Sequence, residues 1–337
     1  MGNCASSPVP VAEYEMSSVD LETGPFIFKS EQSENAGRSR FFGLEVSWKQ
    51  SPSRTWWIAG ESTVNTSSSC FAHPNVPSEI IRETVETCTS FGRKLWAYRL
   101  INDEYLFLLL SNMYNGPDSE QLFKWSPEEK KWSHQQTHAN GHFSWMKCLT
   151  RVGQDFYGST TVKVGDYPLN VNPQGELLLL KISSDWTQTE TLKIPAPHLK
   201  GKGIYEVLIA GQWGSTLLIH SRGCSRDARK TGYSFVDLET RTCTPLQYQG
   251  NSLLSISSQF CSLGAGRVLI RTGHTWESSS YFLVDIRARE LRCLGTNMNW
   301  RSNICAFEDE QTSDLYIATL ESFSMDVDSL YRFTPLV

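Results

Sequence analysis

The sequence predicts an all-β protein folded as a single β-propeller of about six four-stranded blades. Two patterns point there. A strand-like apolar run recurs at residues 105–110, 155–160, 216–220, 267–271 and 314–318, with starts 47 to 61 residues apart. After each run come a polar loop and a second strand that enters a tight turn, at 121–125, 176–180, 233–237, 281–285 and 330–333. One twisted four-stranded sheet cannot bury both faces alone, so a four-strand unit repeating near this period stacks radially on its neighbours. Two β-sandwiches are the alternative for this length, but sandwiches carry no such regular recurrence.

The elements follow in order. The second strand of each unit leads through a turn into a third apolar segment: Asp237 precedes Cys243, Asp285 precedes Cys293, and Ser126 precedes Trp132, each reading as strand, turn, strand. Ahead of each unit lies one more strand candidate, at 94–100, 145–151, 205–210, 259–263 and 304–307. The first blade is less regular, with strand-like stretches at 25–29, 40–48 and 55–59. Residues 61–93 read as a long insertion between blades, and 77–86 within it have the apolar spacing of a helix. Closing the ring calls for an N-terminal strand, expected at 9–16, beside the strand that ends the chain. Residues 1–24 thus form an N-terminal segment and 25–337 the propeller.

The pattern resembles kelch-type or related propellers over most of the chain. It does so without the Gly-Gly doublet of kelch repeats or the paired Gly-His and Trp-Asp of WD40 repeats. Short stretches at 184–187 and 273–276 are similar to fragments of sialidase and WD40 motifs. The resemblance implies a ring with a binding face and assigns no activity.

The N-terminus carries a different signal. With Met1 removed, Gly2 offers an unhindered amine and Ser6 the small hydroxyl residue that N-myristoylation favours, while Cys4 lies where a membrane acyltransferase reaches it. Each buried methylene contributes about 0.8 kcal/mol, so one myristoyl chain holds a protein only marginally. No Lys or Arg occurs between Gly2 and Phe28, and Glu13, Glu15, Asp20 and Glu22 are repelled by anionic lipid. The second anchor therefore falls to Cys4. Myristate on Gly2 and palmitate on Cys4 would place the chain on the cytoplasmic face of a membrane; unmodified, it is expected in the cytoplasm.

Composition narrows the rest. A net charge of −5 and a pI near 5.9 give no overall basic footprint, so no nucleic-acid partner is expected. The longest apolar runs fall far short of the roughly 20 residues that span a bilayer. Nine cysteines contain no Cys-x-x-Cys spacing, and Cys148, Cys261 and Cys305 sit in apolar segments that suit core packing.

In a propeller, the loops joining the second to the third strand and one blade to the next open on one face, which is the usual binding surface. Those loops hold His73, His138, His142, His198 and His274, with His134 and His220 close by. His134, His138 and His142 are four apart, yet Asn140, Gly141 and the β pattern argue for a turn, and no ligand set is complete. No metal and no cofactor are expected. Arg222, Arg226, Arg229 and Lys230 form a basic run around Asp227, and Trp276, Trp300 and Arg301 are hot-spot residue types on neighbouring loops. These seven are the candidate partner-binding residues. Catalytic motifs such as Gly-x-Ser-x-Gly or a phosphate-binding glycine loop are absent, so no catalytic residue is assigned. A membrane-anchored interaction scaffold with a protein partner is the favoured function. A propeller hydrolase, lactonase-like or sialidase-like with its site at the central channel, is the alternative.

Overall fold

The computed structural model describes residues 12–32, 41–49, 54–60, 70–74, 76–91, 95–101, 104–110, 119–139, 149–165, 167–223, 232–248, 251–252, 257–273, 279–295, 303–309, 312, 314–320 and 327–336. Strand β1 (Tyr14–Val19) precedes the first sheet, formed by β2 (Phe26–Gln32), β3 (Phe41–Trp48), β4 (Arg54–Gly60) and β5 (Cys70–Pro74). Helix α1 (Ser78–Ser90) leads to the second sheet: β6 (Leu95–Ile101), β7 (Tyr105–Leu110), β8 (Ser119–Ser126) and β9 (Lys131–Ala139). The third contains β10 (Thr150–Val152) and β11 (Asp155–Ser159), then an inserted hairpin, β12 (Val162–Val164) with β13 (Tyr167–Leu169), then β14 (Glu176–Ile182) and β15 (Thr189–Pro195). The fourth has β16 (Ile204–Trp213), β17 (Thr216–Gly223), β18 (Gly232–Asp237) and β19 (Thr242–Pro245), followed by a short hairpin, β20 (Gln247–Tyr248) and β21 (Asn251–Ser252). The fifth has β22 (Ser257–Gly264), β23 (Arg267–Gly273), β24 (Ser279–Asp285) and β25 (Glu290–Gly295), and β26 (Asn303–Glu308), β27 (Leu315–Leu320) and β28 (Val327–Pro335) begin the sixth.

The sixth sheet is completed by β1, which pairs antiparallel with β28 from Tyr14–Pro335 to Val19–Leu330. The closing strand thus starts at Tyr14 rather than near residue 9. Within each blade neighbouring strands pair antiparallel, and the ring is a β-propeller of six blades. First strands gather at the centre, where β16 touches β22 and β22 touches β26.

The first blade departs from this order. Its last strand, β5, arises inside the 61–93 insertion and pairs in parallel with β22 through Cys70–Cys261 and Phe71–Ser262, touching β26 as well. The insertion therefore returns a strand to the centre of the ring instead of passing wholly between blades. It also supplies α1, whose buried Ile80, Ile81, Thr84, Val85 and Cys88 recur at helical spacing. These side chains pack on Leu100, Leu106, Leu108, Phe123 and Trp132 of the second blade. Trp132 Nε1 donates to Thr84 Oγ1 at 3.1 Å, giving a buried indole its partner.

Apolar layers between successive blades make up the core. Ile101, Phe107, Leu122 and Phe156 join the second and third, Leu179, Ile194, Val207 and Ile219 the third and fourth, and Leu218, Phe235, Phe260 and Val268 the fourth and fifth. The largest layer joins the fifth, sixth and first blades around Phe26, whose ring meets Trp48 at 4.2 Å, Phe307 at 4.6 Å and Tyr316 at 4.7 Å. Cys261 and Cys305 are buried there; Cys148 lies outside the described residues.

The turns between third and fourth strands repeat one device. Ser126 Oγ, Asp237 Oδ1 and Asp285 Oδ1 each accept from the backbone N–H three residues on, at 3.3, 3.0 and 3.0 Å. The residue after that, Lys130, Arg241 or Arg289, has φ of 52°, 53° or 56° and lets the chain double back. This is the turn signature visible in the sequence at 126, 237 and 285.

Candidate functional site: the loop face

Strand direction gives the ring two unlike faces. One carries the turns from first to second and from third to fourth strands, here the turn face; the other carries the longer second-to-third and inter-blade connections, the loop face. Several charges on the turn face are paired. Arg151 meets Glu104, Arg267 meets Glu308, Lys181 Nζ lies 2.9 Å from Asp155, and Arg289 lies 3.1 Å from Asp237. Several of these pairs link neighbouring blades.

Loops on the other face spring from a repeated root. Ser221 Oγ donates to the Gly232 carbonyl at 3.2 Å and Thr272 Oγ1 to the Ser280 carbonyl at 3.4 Å, and in each case donor and acceptor are cross-strand partners. A small hydroxyl at the end of the second strand thus ties off the third strand in two successive blades, at Ser221–Gly232 and at Thr272–Ser280.

The connection from third to fourth blade is fully described. Ala196 N–H donates to the Gly175 carbonyl at 2.8 Å, Pro197–Leu199 make one 3-10 turn, and Leu199 is buried. Gly201 and Gly203 have φ of 71° and 59°, a conformation that glycine adopts without steric cost. Lys200 lies across Gly175, where an added Cβ would come within 3.0 Å of the Lys200 Cβ. His198 shares a 2.9 Å hydrogen bond with Ser234 Oγ, and burial, followed by the charge of Lys202, holds its pKa below the ordinary value. Beside this connection the β12–β13 hairpin touches β16, and Asn170 N–H donates to the Ile204 carbonyl at 2.8 Å.

His220 sits one residue before the Ser221 root, buried between the fourth and fifth blades. Its ring centroid lies 4.8 Å from Tyr233 and 6.4 Å from Phe260. Burial first, and the nearby Arg222 second, push its pKa down to about 3. Nε2 is buried without a hydrogen-bond partner among the described residues. The imidazole is therefore neutral at physiological pH and serves as a packing group between blades.

Of the seven partner-binding candidates, Arg222 is described: it emerges from the end of β17, partly exposed, and pairs with Glu206 Oε2 at 3.0 Å. Arg226, Arg229, Lys230, Trp276, Trp300 and Arg301 lie outside the described residues, as do Gly2 and Cys4. Among the described histidines, His198 alone lies in a connection rather than a strand. His134 and His138 are in strand β9, His73 is in β5, His220 is in β17, and His142 and His274 lie outside the described residues. Among the described residues no group of three or more His, Cys, Asp or Glu could hold a metal ion, and no helix is long and apolar enough to cross a membrane.

Sequence reasoning passed over Lys163, Lys200, Lys202 and Tyr205. They are isolated in sequence, so a search for basic runs misses them; the β12–β13 hairpin and the inter-blade connection bring them around the start of β16.

No protein-family model matches the sequence, and no curated protein does. Solved structures similar in fold include the Pyrococcus horikoshii acylaminoacyl peptidase, at 10% identity and a TM-score of 0.44 over 91% of this chain and 48% of that one. An oligogalacturonate lyase in complex with manganese matches at 10% identity and a TM-score of 0.41, over 97% of this chain and 99% of the other. Prolyl oligopeptidase B from Galerina marginata matches at 9% identity and a TM-score of 0.41, over 89% of this chain and 47% of that one. The chain spans about half the length of the two peptidases. These are likenesses of β-propeller fold.

Proposed function

We propose that the chain is a lipid-anchored β-propeller scaffold that holds a protein partner at the cytosolic face of a membrane. The direction of β1 carries this reading. Tyr14 pairs with Pro335 at the turn-face end of β28, and β1 climbs from there toward the loop face. The chain therefore enters β1 at the turn face, and eleven residues ahead of it, fully extended, would reach at most about 35 Å. With myristate on Gly2 and palmitate on Cys4 in the bilayer, the turn face is the near side and the loop face is presented to the cytosol. Arg222, Arg226, Arg229, Trp276, Trp300 and Arg301 are residue types that interfaces favour, and Lys230 adds positive charge in the same run. A central hydrolase site is disfavoured by β5, which runs against the inner strands β22 and β26 where substrate would enter.

The test is membrane fractionation in eukaryotic cells with metabolic labelling by myristate and palmitate analogues. Wild type is expected to take up both labels and sediment with membranes. Gly2→Ala is expected to take up neither and stay cytosolic, and Cys4→Ser to be myristoylated but loosely held. Wild type without either label, or Cys4→Ser as firmly bound as wild type, overturns the reading.

A further inference from the structure

We infer that the surface between the third and fourth blades, formed by Lys163, Lys200, Lys202 and Tyr205, docks an acidic, extended segment of the protein partner. The inference rests on the scaffold reading and names the chemistry of its partner. Three observations converge on it. First, among the described residues Lys163, Lys200 and Lys202 form no ion pair. Glu206 is paired with Arg222 and Glu176 Oε2 accepts from Asn172 Nδ2 at 2.7 Å, so neither carboxylate forms an ion pair with the three lysines.

Second, the cations are carried on ordered backbone. Lys200 is braced on Gly175, Lys202 N–H donates to the Leu199 carbonyl at 3.2 Å, and Lys163 stands opposite Pro168 in the hairpin that packs beside β16. A surface whose charges are already positioned loses less entropy when a partner arrives. Third, apolar groups are interleaved with the cations. Val162 is 36% exposed and Tyr205 38%, so the patch offers contact for hydrophobic side chains flanking the partner's acids.

An acidic protein segment is favoured over an anionic membrane by geometry. Strand β1 begins at the turn face, with Tyr14 opposite Pro335, and the lysine patch is on the opposite face, so an anchor attached ahead of β1 would favour turning the patch away from the bilayer.

The full chain carrying Gly2→Ala, and so unacylated, is titrated against a fluorescent peptide alternating glutamate with leucine, read by anisotropy, and separately against phosphatidylserine vesicles. Peptide affinity is expected to fall steeply with salt and to drop about tenfold or more in the Lys163→Glu, Lys200→Glu, Lys202→Glu triple variant at unchanged melting temperature. Lys131→Glu, on the turn face, is the control and is expected to bind as the parent does. Equal peptide binding by the triple variant and the parent overturns the inference, as does vesicle binding that exceeds peptide binding and disappears in the triple variant. Should the triple variant melt early, Lys163→Gln, whose side chain is exposed on the hairpin, replaces it, and unchanged affinity there counts against the site. Because the protein is unacylated throughout, failure here leaves the anchoring result standing, and failure of the labelling experiment leaves this one standing.

Discussion

The backbone N–H of Glu13 donates to the Cys293 carbonyl at 2.7 Å, and Cys293 N–H returns a bond to Glu13 Oε1 at 3.1 Å. This reciprocal pair ties the start of the closing strand to the outer strand of the fifth blade, while Leu336 N–H donates to the Glu13 carbonyl at 2.9 Å. Glu13 therefore holds together the N-terminal strand, the C-terminal strand and a neighbouring blade.

Ring closure should be energetically real. Tyr14 is buried in the apolar layer around Phe26, so Tyr14→Ala is expected to lower stability by about 3 kcal/mol. Met16, on the same strand but 49% exposed, should tolerate alanine within about 0.5 kcal/mol. Urea denaturation of the two variants distinguishes a closed ring from a loosely attached strand, for which both substitutions would be nearly silent.

Gly211 marks a close approach between the fourth and fifth blades. It sits at a bulge in β16, and an added Cβ would come within 2.5 Å of Val268 Cγ2 and 3.1 Å of Ile286 Cδ1. Gly211→Ala is expected to cost about 2 kcal/mol through overpacking. Val268→Ala frees that space, so Gly211→Ala should cost clearly less in its background, a coupling that a double-mutant cycle measures. Additive effects would place the strain elsewhere.

Asp314 is 2% exposed and accepts from Arg332 Nε at 2.8 Å and from Thr312 Oγ1 at 3.0 Å. Removing the arginine leaves a carboxylate in a nearly dry site. Arg332→Ala is expected to destabilise by about 2 kcal/mol, below the cost for a fully buried pair because the guanidinium itself is 43% exposed. Replacing both residues, as Asp314→Asn with Arg332→Ala, should recover part of the loss in denaturant titrations, because no bare charge remains.

Legibility in the sequence follows strand burial. β7, β17, β23 and β27 are near-continuous apolar runs because both faces are covered by adjoining blades, and they stand out by eye. Turns after Ser126, Asp237 and Asp285 were legible because one side chain there satisfies a backbone donor. β5 was not, since a five-residue strand whose pairing with β22 runs through two residues carries no long-range mark in the chain. β1 was expected but placed too early: its burial is confined to Tyr14 at one end, with four exposed residues following, so no apolar periodicity fixes its position. The site was less legible still. Lys163 and Lys200 lie on separate segments, brought around one strand by the hairpin and the connection that the ring juxtaposes, and His220 reads as a residue beside a loop although its neighbours in space make it a core residue.

The last prediction uses that burial. His220 has a folded-state pKa near 3 against an ordinary value of 6.5, because burial between Tyr233 and Phe260 disfavours the cation. Between those two values the unfolded chain binds a proton that the folded chain refuses, so this site's contribution is intact above pH 6.5 and is lost as pH falls below it. The slope approaches about 1.4 kcal/mol per pH unit. His198, whose pKa burial also lowers, acts in the same direction. His220→Phe keeps a ring between Tyr233 and Phe260 and removes the ionisable nitrogen. Urea titrations at pH 7.5 and pH 5 should show wild type losing about 2 kcal/mol more than His220→Phe over that interval. Parallel losses in the two proteins would mean that His220 is solvated and protonated in the folded state.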